Sequence, residues 1–353
     1  MPSPMHPGAA TRLSVVVVTH ESRGALATSL RALLPQLTRD DELVVVDNDS
    51  QDGSPVLARE LAPRATVIET GSNAGFAAGA NAGARAARGD LLVFLNPDAI
   101  PAPGFVEAIR APLADGRGWG AWMGLVTADG GRLVNTNGGV VHYTGIAWAG
   151  EEGRRSPGTL HAPREAAFLS GACLAVPRRG WERVGGFAEE YFMYHEDVDL
   201  SLRLRLAGER LGVEPAAVVD HDYEFAKGPA KWHRLERNRW ATIVRCYPGA
   251  LLLALAPALA VTEVALVAVA AAGGWLPQKL TAAGETARAL PRLLRERREI
   301  QATRAVTPTE FASWLTPDLD SPFLGRIGSA RTLRWALRAY WWLAVAAVRH
   351  TGG

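Results

Sequence analysis

The sequence predicts an α/β protein in which residues 12–248 build a doubly wound sheet, followed by a helical region over 249–353. Three observations predict it. Short β-branched or leucine-rich runs without polar alternation recur through the first hundred residues, as strands buried on both faces require. Stretches with apolar residues at helical spacing separate them. Two of the runs end in aspartate, at Asp47 and within Asn96-Pro97-Asp98, and such sheets bind ligands beyond the carboxyl ends of their strands.

Residues 1–11 lack the apolar core of a signal peptide and are expected to be disordered. Residues 13–19 (LSVVVVT) read as the first strand, and 23–37 as a helix with Leu26, Leu30, Leu33 and Leu34 on one face. A second strand covers 42–46, a helix 54–61, a third strand 66–69, an alanine-rich helix 76–87 and a fourth strand 91–95. From 120 to 150, glycines among short apolar runs point to antiparallel strands or an irregular insertion. Residues 168–176 (FLSGACLAV) read as a strand, 197–207 as a helix, and 211–219 as a last strand ending at Asp220-His221.

A formal net charge of +2 gives no global footprint for nucleic acid. Two cysteines are too few for a disulfide framework or a zinc site. Only Lys227, Lys231 and Lys279 are lysines among 38 basic residues, an arginine excess of the kind a GC-rich genome produces. The glycines near residue 75 are not followed by Gly-Lys-Ser/Thr, and the first strand lacks the dinucleotide fingerprint, which sets a P-loop enzyme and a nicotinamide oxidoreductase aside.

Sugar transfer from a nucleoside diphosphate needs countercharge for the leaving group, a general base for the acceptor hydroxyl and a nucleoside pocket. Asp98 suits a metal ligand, although Asn-Pro-Asp is equally a turn sequence. His221 could close that site or be an ordinary surface histidine. Asp197, with Glu196 and Asp199, could cap a helix or act as base, since crowded carboxylates raise each other's pKa. Tyr191, Phe192 and Tyr194 would line an adjacent pocket. Asp47 could meet a base imide or a ribose hydroxyl, or merely stabilise a turn.

The order of these elements carries more weight than any one of them. Thr19, Asp47-Asn48 with Ser50, Asn73-x-Gly75-Phe76-x-x-Gly79-x-Asn81-x-Gly83, Phe94-Leu95-Asn96-Pro97-Asp98, Ser170-Gly171-Ala172, Gly185-Gly186-Phe187, Glu196-Asp197-x-Asp199-Leu200, His221 and Glu236-Arg237-Asn238 follow one another along the chain. Over residues 12–248 this pattern resembles the family 2 glycosyltransferases of the GT-A fold, in particular their bacterial rhamnosyltransferase-like branch. The resemblance implies an inverting transfer of a sugar, with rhamnose the candidate, from a dTDP-, UDP- or GDP-linked donor to a glycan acceptor in cell-wall or surface-glycan assembly; an acceptor carried on a polyprenyl lipid would explain the apolar and basic C-terminal region. It implies that Asp47 binds the base, with Thr19 and Glu21 in the same pocket, and that Asn73, Gly75, Phe76, Asn81 and Asn96 lie on the donor side. Asp98 would ligate Mg²⁺ or Mn²⁺, His221 would complete that site, and Arg237 would neutralise phosphate. Asp197 would be the base, supported by Glu196 and Asp199, with Gly171, Ala172 and Tyr194 towards the acceptor. The chain departs from the family pattern at Asn96, in place of the first acid of Asp-x-Asp, at His20, in place of a tyrosine, and at Ala188, in place of an aspartate.

Residues 250–272 are long and apolar enough to span a bilayer, yet contain Pro257 and Glu263. Residues 279–304 are basic and amphipathic, a Pro-rich loop follows around Pro308, Pro317 and Pro322, and residues 335–348 are rich in tryptophan. If both apolar stretches spanned, the arginines between them would lie outside, against the positive-inside tendency. The expectation is therefore helices lying in the cytoplasmic membrane interface. Arg292, Arg295, Arg297 and Arg298 would meet anionic lipid, and Trp335, Trp341 and Trp342 would sit at headgroup level. The competing reading is a non-catalytic membrane scaffold on a degenerate transferase domain, for which Asn96 is the main support.

Overall fold

The computed structural model describes residues 11–156, 162–222, 228–320 and 331–351. The expected disorder of residues 1–11 lies, apart from Thr11, outside this range, as does Pro322. Four strands, β1 (Leu13–Thr19), β2 (Glu42–Asp47), β3 (Thr66–Glu69) and β4 (Leu91–Leu95), pair in parallel in the order β4-β1-β2-β3. Their valines and leucines are buried on both faces in all but β3, which explains the absence of alternation. Register sets Thr19 beside Asp47 and Val17 beside Leu95, so the carboxyl ends of β1, β2 and β4 lie nearly level.

The helices α1 (Arg23–Leu33), α2 (Ser54–Leu61) and α3 (Gly75–Ala86) connect these strands. Helix α1 ends four residues earlier than expected. Pro35 has no N–H to continue the ladder, and residues 34–36 form a single 3₁₀ turn. Gly79 and Gly83 of α3 face the sheet, where a Cβ at Gly83 would press on Val16.

After β4 come β5 (Ile100–Pro101), α4 (Phe105–Ala114), β6 (Trp119–Ala128), β7 (Leu133–Thr136), β8 (Gly139–Val141), β9 (Ala147–Ala149), β10 (Arg164–Glu165), β11 (Cys173–Pro177), α5 (Arg178–Val184), α6 (Glu196–Leu206) and β12 (Arg210–Asp220). The main sheet has ten strands, with β10-β12-β6-β11-β4-β1-β2-β3 as its spine. It is mixed rather than purely parallel, because β11 runs antiparallel to both β4 and β6. The strand expected at 168–176 begins only at Cys173. A turn at Ser170, whose carbonyl accepts Cys173 N–H, interrupts the run.

The elements that follow among the described residues are helices: α7 (Pro229–Cys246), α8 (Gly249–Ala272), α9 (Leu276–Ala302), α10 (Pro308–Ala312) and α11 (Arg331–Thr351). Leu251, Leu255 and Leu259 of α8 are buried with Tyr143, Leu202, Ile243, Tyr247 and Phe311, so one core takes residues from both sides of Pro248. Glu263 is not an isolated carboxylate. It pairs with Arg239 and with Lys279 (2.6 Å), and both of these also pair with Glu236. Trp341 does not reach outward; it stacks on the buried Tyr143 ring at 5.2 Å, whereas Trp335 and Trp342 are 74% and 70% exposed. Arg292 is taken up by Glu190 and Glu296.

Candidate active site

Sheet topology brings three groups of residues to one edge. At the ends of β1 and β2, Thr19 and Asp47 are neighbours and both are buried. One Asp47 oxygen accepts the Ser50 N–H (2.9 Å). The other oxygen and the Thr19 hydroxyl are buried without a hydrogen-bond partner among the described residues. Leaving such groups unsatisfied costs about 1–3 kcal/mol each, so a polar ligand edge placed there would gain what the protein forgoes. Glu21, in the left-handed region at φ 50°, accepts the Gln51 N–H, and its own N–H donates to Ser50 Oγ. These bonds tie the two loops around Asp47 together.

The second group lies beyond β4. Ile100 of β5 pairs with Asp220 of β12, and this crossing brings Asp98 to His221. Asp98 Oδ1 is 3.1 Å from His221 Nε2, with the Asn96 amide at 3.4 Å from the same nitrogen. His221 is buried and Asp98 is 45% exposed, so the carboxylate faces the open side. Among the described residues no set of three or more His, Cys, Asp or Glu side chains is grouped for a metal. One carboxylate and one imidazole still fit a cation that takes its remaining ligands from water and substrate phosphates.

The third group surrounds Asp197. Asn96 N–H donates to Ala172 O (3.1 Å), linking the end of β4 to the Ser170 turn. Gly171 N–H in turn donates to Asp197 Oδ2 (3.2 Å), and Val198 N–H to Asp197 Oδ1 (2.8 Å). Phe76 lies beneath: a Cβ at Gly171 would be 3.4 Å from its ring, and the ring packs on Phe187 at 5.5 Å. Exclusion of water raises the Asp197 carboxyl from 3.8 to about 6 against these two amide bonds. Glu196 is pushed well above the carboxylate range, by burial first and by the neighbouring Asp197 second. Asp199 moves the other way despite burial, because Arg203 (2.7 Å) and Arg245 (2.9 Å) hold it ionised. Three adjacent carboxyls therefore carry three different proton affinities, and only that of Asp197 lies near the working range of a base.

Other expected residues serve the scaffold. Asn81 spends its amide on the backbone N–H and C=O of Phe187 (both 2.9 Å) and on Glu189, pinning the Gly-Gly-Phe turn instead of facing a donor. Arg237 donates to the carbonyls of Glu190 and Tyr191, so its guanidinium does not reach the strand ends. Asn73 accepts the Gly75 N–H, and Ala77 N–H goes to Phe192 O, so the start of α3 is already satisfied by protein. Gly75 itself is obligatory: its φ is 85°, and a Cβ would lie 2.5 Å from Phe192 O.

No residue type in the sequence marks the loop ahead of Asp197. Phe192, Tyr194 and His195 all adopt left-handed backbone, at φ 63°, 69° and 67°, without glycine or asparagine to signal it. Asn238 of α7 holds this loop, donating to Tyr191 O, Met193 O and Tyr194 O. The Lys231 ammonium lies 5.6 Å from the centre of the Tyr194 ring in this loop.

A family model described as Glycosyl transferase family 2 matches residues 14–179. The N-acetylglucosaminyl-diphospho-decaprenol L-rhamnosyltransferase of Mycobacterium tuberculosis is 30% identical over 243 residues, 61% of this chain and 78% of that protein. The pre-mycofactocin glycosyltransferase of the same species is 28% identical over 238 residues, 67% of this chain and 45% of that one. Among solved structures, GalNAc-T7 with UDP, GalNAc and Mn²⁺ superposes with a TM-score of 0.56 at 16% identity, covering 70% of this chain and 50% of that one. TarS from S. aureus superposes with a TM-score of 0.55 at 15% identity, covering 96% and 55%. These likenesses show the GT-A fold. With strand-end acids on that fold and 30% identity across more than three quarters of a rhamnosyltransferase, the chain belongs to glycosyl transferase family 2.

Proposed function

We propose that this glycosyltransferase moves rhamnose from a nucleoside-diphosphate donor to a polyprenyl-linked glycan acceptor, with inversion, at the cytoplasmic face of the membrane. The observation that carries the reading is the Asp197 carboxyl, raised to about 6 and aimed by Gly171 and Val198 N–H groups beside the strand ends. The relative from Mycobacterium tuberculosis supports the sugar and the acceptor class by its name. Asp197 takes the proton of the acceptor hydroxyl as that oxygen bonds to the anomeric carbon. The bond from that carbon to the diphosphate oxygen breaks on the opposite face, which inverts the centre. Thr19 and Asp47 would receive the nucleobase edge with their unpaired oxygens. Asp98 and His221 would hold Mg²⁺ or Mn²⁺, which when bound supplies countercharge to the departing diphosphate.

Membrane contact is supported by α8, the one helix among the described residues long and apolar enough to cross a bilayer. We favour a flat placement. The buried leucines of α8 and the ion cluster around Glu263 tie it to α7 and α9, and a crossing helix would have to leave both.

The test is transfer from dTDP-rhamnose and from UDP- and GDP-sugars, with Mg²⁺ or Mn²⁺, to a polyprenyl-diphosphate sugar. Asp197→Asn should abolish it with the fold intact. Wild-type rates in that variant would sink the assignment of the base. The departure at Asn96 favours a second reading, a nucleotide-binding scaffold without turnover. Tight nucleotide binding with no transfer from any donor would establish that instead.

A further inference from the structure

Helix α9 ends in a group of arginines that the proposed reaction does not use. Arg297, Arg298 and Arg304, with Gln301 and Gly249, line a recess of about 310 Å³ where the end of α9 meets the start of α8. None of these lining residues is acidic. Glu296, on the same helix, is engaged by Arg245 and Arg292. Arg297 is fixed, because its guanidinium donates to Val244 O (2.7 Å) and Tyr247 O (2.6 Å). Gly249 lies beside it, where a Cβ would make an ordinary contact of 3.6 Å with Arg297 Nη2. Burial first, and the like charge of Arg304 more weakly, lower the proton affinity of Arg297. Gln301 donates to Arg245 O and Cys246 O, so the floor of the recess is braced.

The surroundings identify the anion's source. Gly249, Leu253, Pro257, Ala260, Val264 and Val267 follow at three- and four-residue spacing along α8, and all are exposed. Leu253 and Val264 are 79% and 73% exposed. This apolar stripe starts at the recess. Helix α11 lies alongside, Tyr340 donating to Ala254 O (2.7 Å), and it adds the exposed Trp342. A cationic recess that opens onto an apolar stripe matches a ligand with an anionic head and an apolar body.

We propose that the recess of Arg297, Arg298 and Arg304 binds the phosphate of an acidic phospholipid, with the apolar layer of the bilayer against the α8 stripe. This deepens the membrane reading above and is independent of the donor sugar. The test is co-sedimentation of the full chain with phosphatidylcholine vesicles, with and without phosphatidylglycerol. The double variant Arg298→Gln/Arg304→Gln should lose roughly thirtyfold in affinity for the acidic vesicles. The variant Arg288→Gln/Arg295→Gln removes two exposed charges of the same helix outside the recess and should lose far less. Equal losses in the two variants would overturn the site in favour of diffuse charge attraction. Thermal stabilisation by inorganic phosphate at fixed ionic strength, without preference for acidic vesicles, would overturn the lipid assignment in favour of a free anion. Unchanged thermal unfolding and donor hydrolysis in both variants would show that the fold and the proposed activity are untouched. A vesicle pattern as expected in a protein that transfers no sugar would leave this proposal standing and remove the other.

Discussion

Replacing Asp197 with asparagine should stabilise the protein at pH 8 while it removes transfer. The folded state raises this carboxyl from 3.8 to about 6, so it binds the proton more tightly than the unfolded chain does. The stability this proton confers is fully present below about pH 3.8 and is lost as pH rises through about 6. Above that, the ionised carboxylate opposes folding by about 3 kcal/mol. Asparagine keeps one acceptor oxygen for Val198 N–H but turns an NH₂ towards Gly171 N–H, a loss of about 1 kcal/mol. The expected gain is therefore about 2 kcal/mol at pH 8, with no gain at pH 4. Urea unfolding of both proteins at the two pH values measures it. A variant no more stable than the parent at pH 8 would refute the argument that Asp197 is held in a water-poor site at the expense of folding. The same group sets the rate profile: wild-type kcat/KM should fall about tenfold per pH unit below about pH 6, because only the carboxylate accepts a proton.

Gly75→Ala places a methyl group against Phe192 at a φ of 85° and should cost about 2–4 kcal/mol, read by thermal unfolding. Asn238→Ala strands three carbonyls ahead of α6 and should lower kcat at least about tenfold while KM for the donor changes little, since the loop it holds lies beside the base and not the nucleotide. Asp98→Asn should raise the Mn²⁺ concentration needed for half-maximal transfer about tenfold or more, measured by metal titration at saturating donor.

Strands β1, β2 and β4 are legible because burial on both faces leaves a nearly unbroken apolar run, and Asp47 and Asp98 could be placed from the ends of β2 and β4. The link between Gly171 and Asp197 was not, since no periodicity relates residues 26 apart in the chain. Helix α7 escaped for a related reason. In its Glu236–Arg239 stretch the side chains are consumed by carbonyls and by buried partners, which the sequence does not signal. The family resemblance is what points Arg237 and Asn81 to the donor side. In the folded chain they satisfy irregular backbone that carries no glycine signal of its own.

One turn of α7 performs two duties. Arg237 and Asn238 grip the loop ahead of the base, while Glu236 and Arg239, flanking them, lock onto Lys279 of α9 and Glu263 of α8. Two ion pairs and a set of backbone hydrogen bonds are therefore all that separates the α8–α9 hairpin from the loop leading into Asp197. The α8–α9 hairpin and the loop ahead of Asp197 are thus fastened to the two faces of a single helical turn.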